Sequence, residues 1–216
     1  MTIDARTGRR RPGPAPRVTR EAVADAALDL GFDGLTVTAV GDRLGVSHAA
    51  LYRHVRDRDD LVRAATERLA ERHPPPPPAE HWRETLTGGA VAFWELLRSV
   101  PGFVEATLAT EAARDVLAAH GTGLTRALTA HGFPPDLAVL AADSVLDLAR
   151  DCARTAARLV SADPDVLRRR MAERWPDAAD EPVRATVVDA LLGDPADWFH
   201  RKLDVVVRGI ATLVGR

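Results

Sequence analysis

Apolar residues recur along this chain at helical spacing and nowhere alternate with period two for long enough to make a strand, which confines it to all-α architectures. The first stripe, Val23, Ala26, Ala27 and Leu30, steps i, i+3, i+4, i+7 between an N-cap, Thr19, and a helix-ending glycine, Gly31. The spacing predicts a second short helix over Thr36–Leu44 that stops at Gly45, and a third from the N-cap Ser47 to about His54. A fourth, capped by Asp57, carries Leu61, Ala64, Ala65 and Leu69 on one face and ends at the prolines Pro74–Pro78. Further helices are predicted at about 80–99, 101–131 with a break near Gly121 and Gly123, 136–161, 164–174, 183–192 and 196–214, so about nine or ten in all. No internal repeat of solenoid length is present.

At 216 residues, one small head and one larger body are the natural expectation, and the proline run supplies the boundary. Such a run favours polyproline II at about 3.1 Å per residue, a stiff strut of roughly 15 Å. The head is then 18–73 and the body 79–216. Residues 1–17 are rich in Gly, Pro and Arg without apolar periodicity and are expected to be disordered when free. The formal net charge of −2 hides an asymmetry at this end: over residues 1–20, Arg6, Arg9, Arg10, Arg11, Arg17 and Arg20 stand against Asp4 alone. A basic arm of this kind is either a solvated tail or an electrostatic arm for nucleic acid or an anionic membrane. With 28% charged residues, no apolar run near 18 residues and no signal-peptide pattern, the chain is expected to be cytoplasmic and not bound to a membrane. The single cysteine, Cys152, lies in an alanine-rich helical pattern that suits a buried, inert thiol.

The stretch Thr36 to Leu61 has the spacing a helix-turn-helix needs. Val40, Leu44, Val46 and Leu51 are the inward apolar positions, Gly41 is small where two helices cross, and Gly45 occupies the turn, where a positive φ is cheap. The residues left facing outward around the third helix are His48, Ala49, Ala50, Tyr52, Arg53 and His54. Small side chains at the start of such a helix admit its backbone to a major groove, while hydroxyl, imidazole and guanidinium groups can meet phosphates and base edges. A plain αα-corner is the competing reading of a bare glycine turn. Tyr52, the sole tyrosine, on the outward face, and Arg58 in the first turn of the next helix favour the nucleic-acid reading.

Over about Thr19 to Leu69 the sequence resembles the TetR family of transcriptional regulators. The resemblance rests on Thr36-Val37 opening the second helix, Gly45-Val46-Ser47 in the turn, Leu51-Tyr52 on the recognition helix, and Arg58 followed by Leu61. The segment Leu51-Tyr52-Arg53-His54-Val55 is similar to the tetracycline-repressor branch in particular. Gly41, Val55 and Arg58 depart from the alanine, phenylalanine and lysine usual in the family. The resemblance implies a three-helix DNA-binding head joined by a fourth helix to an effector-binding, dimer-forming body. It also implies a homodimer acting on a double-stranded DNA operator, most often as a repressor. By that analogy Thr36, Tyr52, His54 and Arg58 would touch phosphates, and His48, Ala49, Ala50 and Arg53 would face bases, with Ser47 in the turn and Arg9, Arg10 and Arg11 on the arm. It places a ligand cavity near Phe93, Trp94 and Phe103, to which Leu97, Val104 and Leu108 add apolar lining and Asp147 or Arg150 a polar anchor. Pro74, Gly89 and Thr107 stand about where that branch uses a histidine, an asparagine and a metal-binding histidine. A small, largely apolar effector is therefore expected in place of a magnesium–tetracycline chelate.

The chain has its own reason to dimerise. Phe199, Leu203, Val206, Ile210 and Leu213 step at helical spacing along the last helix, and Trp198, Val205 and Val207 widen its apolar surface. A fully buried helix in a monomer is the alternative. Ala138, Ala141, Ala142, Ala149, Ala153 and Ala156 would let the 136–161 helix approach a partner closely. Arg150, Arg154 and Arg158 with Asp143, Asp147 and Asp151 read as a solvated face.

Enzymatic chemistry finds little support. His48, His54, His73, His81, His120, His131 and His200 form no HExxH, HxH or Cys/His metal spacing, and Gly121-Thr122-Gly123 is too short for a phosphate loop. No cofactor, metal or catalytic residue is expected. A helical interaction protein with a degenerate helix-turn-helix remains the rival to a DNA-binding regulator.

Overall fold

The computed structural model describes residues 18–160 and 162–215. They form eleven α-helices and one short 3-10 turn, with no strand among the described residues. The head contains α1 (Arg20–Leu30), α2 (Val37–Leu44), α3 (His48–Leu51) and α4 (Arg58–Arg72). The body follows with α5 (Trp82–Arg98), α6 (Phe103–Ala109), α7 (Glu111–Ala130), α8 (Pro135–Leu159), α9 (Pro164–Arg174), α10 (Glu181–Leu192) and α11 (Pro195–Val214).

Caps set most of the head's helix starts. The Thr19, Thr36 and Asp57 side chains accept from the Ala22, Ala39 and Asp60 N–H groups at 3.1, 3.1 and 2.8 Å, each such cap being worth about 1 kcal/mol. Gly45 ends α2 in the left-handed region, φ 66° and ψ 34°, and its N–H closes on Asp42 and Gly41. Two helix expectations are corrected. The third helix stops at Leu51, and Tyr52–His54 form a turn closed by N–H bonds from His54 and Val55 to the Leu51 carbonyl. The 101–131 region divides at Thr110, whose side chain caps α7, while Gly121 and Gly123 lie inside an unbroken α7. That division makes the count eleven.

In the head α1 packs on α2 and α4 around Val23, Ala27, Val40, Leu51, Leu61 and Ala65. In the body α8 is central, against α5, α7, α6 and α11. Its alanines Ala138, Ala141, Ala149 and Ala153 are fully buried, so they admit neighbours from the same chain rather than a partner. The α9 and α10 helices bury no residue and pack chiefly on each other.

The proline run marks a boundary in sequence but not a gap in packing, because α4 lies along α7 and one apolar cluster runs from Val23 to Ile210. The loop after α1 also docks on the loop after α5. The Phe32 N–H donates to the Pro101 carbonyl at 2.8 Å, and the Phe32 and Phe103 rings lie 5.0 Å apart. Gly102, at φ 74°, makes this approach feasible, since a Cβ there would sit 2.6 Å from the Asp33 nitrogen.

Candidate functional site

The helix-turn-helix is built from a tight crossing. A Cβ on Gly41 would meet Leu51 Cδ1 at 3.1 Å, so α2 and α3 touch at the one position where the sequence has no side chain. Leu51 and Val55 are buried beneath, which leaves His48, Ala49, Tyr52 and Arg53 exposed and Ala50 and His54 half-buried on the outer side. Tyr52 is 54% exposed, far beyond what a packing role would allow a ring of its size. Ser47 occupies the N-cap position of α3 without bonding the helix, so its hydroxyl is uncommitted to a cap. Thr36 is exposed but its hydroxyl oxygen caps α2. Arg58, in the first turn of α4, donates Nε to the Leu35 carbonyl at 3.1 Å. Arg9, Arg10 and Arg11 lie outside the described residues.

What holds this surface in place is a group that sequence reading assigned elsewhere. Arg20 is no part of the arm: it is the first residue of α1, and its guanidinium bonds Asp60 at 2.8 Å and the His54 carbonyl at 2.7 Å. Asp60, 9% exposed, also accepts from the Arg56 N–H at 2.9 Å. The Arg20 hydrogen bond, helped by the Arg56 N–H and opposed by burial, lowers the Asp60 carboxyl to about 2. The segment leaving α3 is thus clamped between α1 and α4.

The body holds several hollows, and the residues expected to form one ligand cavity fall into different ones. Phe93, Leu108, Asp147 and Arg150 share a cavity of about 310 Å³ with Thr107 and Arg114, where Arg150 is paired with Asp147. Leu97, Phe103 and Val104 line another, about 350 Å³, beside Asp33. Trp94 lines neither: it stacks on Phe199 at 4.9 Å and 8°, with Arg98 over its ring. A third, of about 290 Å³, lies between the proline run and α5 and α7, with His120 in its wall. Another hollow, about 550 Å³, is an open groove lined by residues between Arg168 and Gly193. His120 lies in register with Leu117, Leu124 and Leu128 on the apolar face of α7 and is buried there.

The expected dimer stripe is also divided. Phe199, Leu203 and Ile210 are buried in the protomer, holding α11 to α8 and α5, whereas Val206 is half-buried and Leu213 exposed. Val205, 69% exposed, extends the outward apolar side, together with Val139 and Leu140 on α8. Within the charged stripe, Arg154 and Arg158 turn to Glu105 of α6, at 3.6 and 3.8 Å, instead of the aspartates of their own helix. Cys152 is buried and its thiol is pushed up by that burial. Among the described residues no group of three or more metal-ligating side chains comes together, and no helix is long and apolar enough to cross a membrane.

A glycine-turned helix pair with a polar outer face, carried on an all-helical body, defines a helix-turn-helix protein. Residues 18–65 match the family model described as bacterial regulatory proteins, tetR family. The chain is 40% identical over 84 residues to the tetracycline repressor protein class D of Escherichia coli; the match covers 36% of this chain and 38% of that protein, little over a third of its length. Over the whole fold it is similar to the transcriptional regulator SCO7222, a TetR from Streptomyces coelicolor, with 25% identity, 91% of this chain and 99% of that one covered, and a TM-score of 0.71. It is also similar to a single-residue variant of TetR from Acinetobacter baumannii AYE in complex with minocycline, with 25% identity, 91% and 98% covered, and a TM-score of 0.60.

Proposed function

We propose that this protein is a ligand-responsive, sequence-specific DNA-binding regulator, a homodimeric repressor released from its operator by a small organic molecule. The observation that carries the reading is the outer side of the α3 segment, where His48, Tyr52 and Arg53 stand exposed on a base fixed by Leu51, Val55 and the Arg20–Asp60 clamp. In this reading Tyr52, Thr36, Ser47, His54 and Arg58 position the duplex through its phosphates, and His48, Ala49, Ala50 and Arg53 read base edges. Residues 18–73 act as the head, 79–216 as the body, and the arm, with Arg9, Arg10 and Arg11, adds charge against the phosphate backbone. The A. baumannii complex with minocycline supports a body that admits a small molecule. The apolar residues left outward on α11 and α8, Val205, Leu213, Val139 and Leu140, suit a two-fold helix interface that presents two heads to a roughly palindromic site. Nothing in this reading requires an enzymatic step or a cofactor, and the place of action is the cytoplasm.

Selection of bound duplexes from a random pool by the full-length protein tests it. A pseudo-palindromic consensus is expected, with log affinity falling against log salt by about 0.9 per phosphate contact. Association that ignores salt, or a monomer in sedimentation at micromolar concentration, would sink the reading.

A further inference from the structure

Gly41 lies inside α2 with ordinary helical backbone, its φ outside the left-handed region, so what glycine supplies there is room and not conformation. That room has a cost, because glycine inside a helix is less stable than alanine, and alanine is usual at this position in the family that the head resembles. The neighbours show its use. The three atoms nearest to the missing Cβ all come from the turn and α3: Leu51 Cδ1 at 3.1 Å, the Val46 carbonyl oxygen at 3.4 Å and His48 Cδ2 at 3.7 Å. The Gly41 carbonyl also accepts from the Val46 N–H at 3.0 Å, which ties the entry of the segment to the same residue.

These neighbours differ in freedom. Leu51 is fully buried and the Val46 oxygen is backbone, whereas His48 is exposed. The α3 helix is a single turn of four residues whose N-cap, Ser47, makes no side-chain bond to it, so little within the helix fixes its height and the surface it lies on decides. His48 approaches α2 through Cδ2, a ring carbon, so the contact is apolar and occupies neither ring nitrogen. An imidazole seated at its carbon edge, with its nitrogens uncommitted, has less rotamer freedom to lose when it meets a base.

We propose that Gly41 is a specificity-determining position: the close approach it allows sets α3 on α2 and seats the His48 ring, so that the base-pair preference carried by His48 depends on a residue that touches no DNA. The inference rests on the regulator reading above and adds to it a positioning residue that acts through His48. A Cβ at position 41 presses on the enclosed Leu51, so the short helix gives by a few tenths of an ångström and the His48 ring moves with it. A hydrogen bond to a base edge weakens steeply with misplacement, whereas an ionic contact to a phosphate falls off gently with distance. The change is therefore expected as lost preference at one base pair.

The test is competition binding by the full-length protein on a duplex that wild type selects from a random pool, together with the single-base-pair variants of that duplex. His48→Ala marks the base pair that His48 reads, as the position where preference flattens. Gly41→Ala should lower preference at that same position by at least about fivefold, the lower end of what one base contact discriminates, and leave the others within about twofold. In the His48→Ala background, Gly41→Ala should change nothing further at that position. A methyl group that only loosened the packing would weaken every duplex alike, additively with His48→Ala, and that result overturns the proposal. So does a change confined to base pairs that His48→Ala leaves intact, or a His48→Ala variant that flattens no position. If Gly41→Ala does not fold, the seat is read in wild type from the nuclear Overhauser effect between His48 Hδ2 and the Gly41 α-protons, whose absence also overturns it. Wild type that selects no duplex sinks the regulator reading, whereas selection by wild type with unchanged preference in Gly41→Ala sinks this inference alone.

Discussion

Replacing Arg20 with alanine should loosen the outer surface of the α3 segment from beneath. The substitution removes the guanidinium that ties α1 to Asp60 of α4 and to the His54 carbonyl. It leaves a carboxylate that is 9% exposed, with the Arg56 N–H and the solvent-screened Arg56 side chain as its main remaining support. The magnitude follows from the carboxyl itself. Its pKa falls from 3.8 unfolded to about 2 folded, and at 1.36 kcal/mol per unit that is about 2 kcal/mol of stability. The 39% exposure of Arg20 keeps this below the cost of breaking a fully buried pair. In a chain of this size the midpoint of thermal unfolding should drop by roughly 4–8 °C. The sign with pH is fixed as well: a depressed carboxyl stabilises above its unfolded pKa and loses that contribution as pH falls through the folded one. Wild type should therefore lead Asp60→Asn by about 2 kcal/mol at pH 6, and the gap should close between about pH 4 and pH 2. Urea unfolding of wild type, Arg20→Ala, Asp60→Asn and the double variant measures all of this. A loss under about 0.5 kcal/mol for Arg20→Ala, additive single losses, or a gap that survives acid would refute the clamp.

Tyr52→Phe should weaken binding to every duplex by a similar factor, whereas Arg53→Ala should relax preference at particular base pairs by roughly 1–3 kcal/mol; competition binding on a site library separates the two, and a Tyr52→Phe variant with altered base preference would reverse the assignment. Deleting residues 1–17 should lower DNA affinity and flatten its salt slope without shifting the thermal midpoint; unchanged affinity would make the arm a mere tail. Magnesium–tetracycline at micromolar concentration should leave the protein–DNA complex intact. The Thr107 hydroxyl, where an imidazole would be needed, is buried and donates to the Val104 carbonyl at 2.6 Å, and at Gly89 even a Cβ would stand 2.9 Å from Leu124 Cδ1. Release of DNA by the chelate would show that other groups hold it.

The head was legible in the sequence because its determinants are local. A threonine or aspartate cap, a glycine at positive φ and an apolar step of three or four residues each act within one helical turn, and they placed α1, α2 and the start of α4 to within a residue. What escaped is non-local. Arg20 reads as one more arginine of a basic arm until the fold brings α4 beside α1, forty positions away, and reveals a carboxylate that needs it. The same holds in the body. Periodicity marks Phe199, Leu203 and Ile210 as buried but is silent on whether the covering helix comes from the same chain; α8 and α5 supply it, so these residues join the protomer core and the outward side passes to Val205 and Leu213. Glycine in a helix is similarly ambiguous. Gly121 and Gly123 read as a break because glycine weakens an isolated helix, yet only by about 1 kcal/mol each, a cost that tertiary packing of α7 against α4, α5 and α8 overrides. Their lack of side chains then acquires another consequence. The flank of α7 that carries Gly123 is left low beside His120, and the proline run lies across it as the far wall of a cavity. A run that looked like a spacer between two domains is thereby a surface of one of them, which puts the link between head and body in contact with whatever that cavity admits.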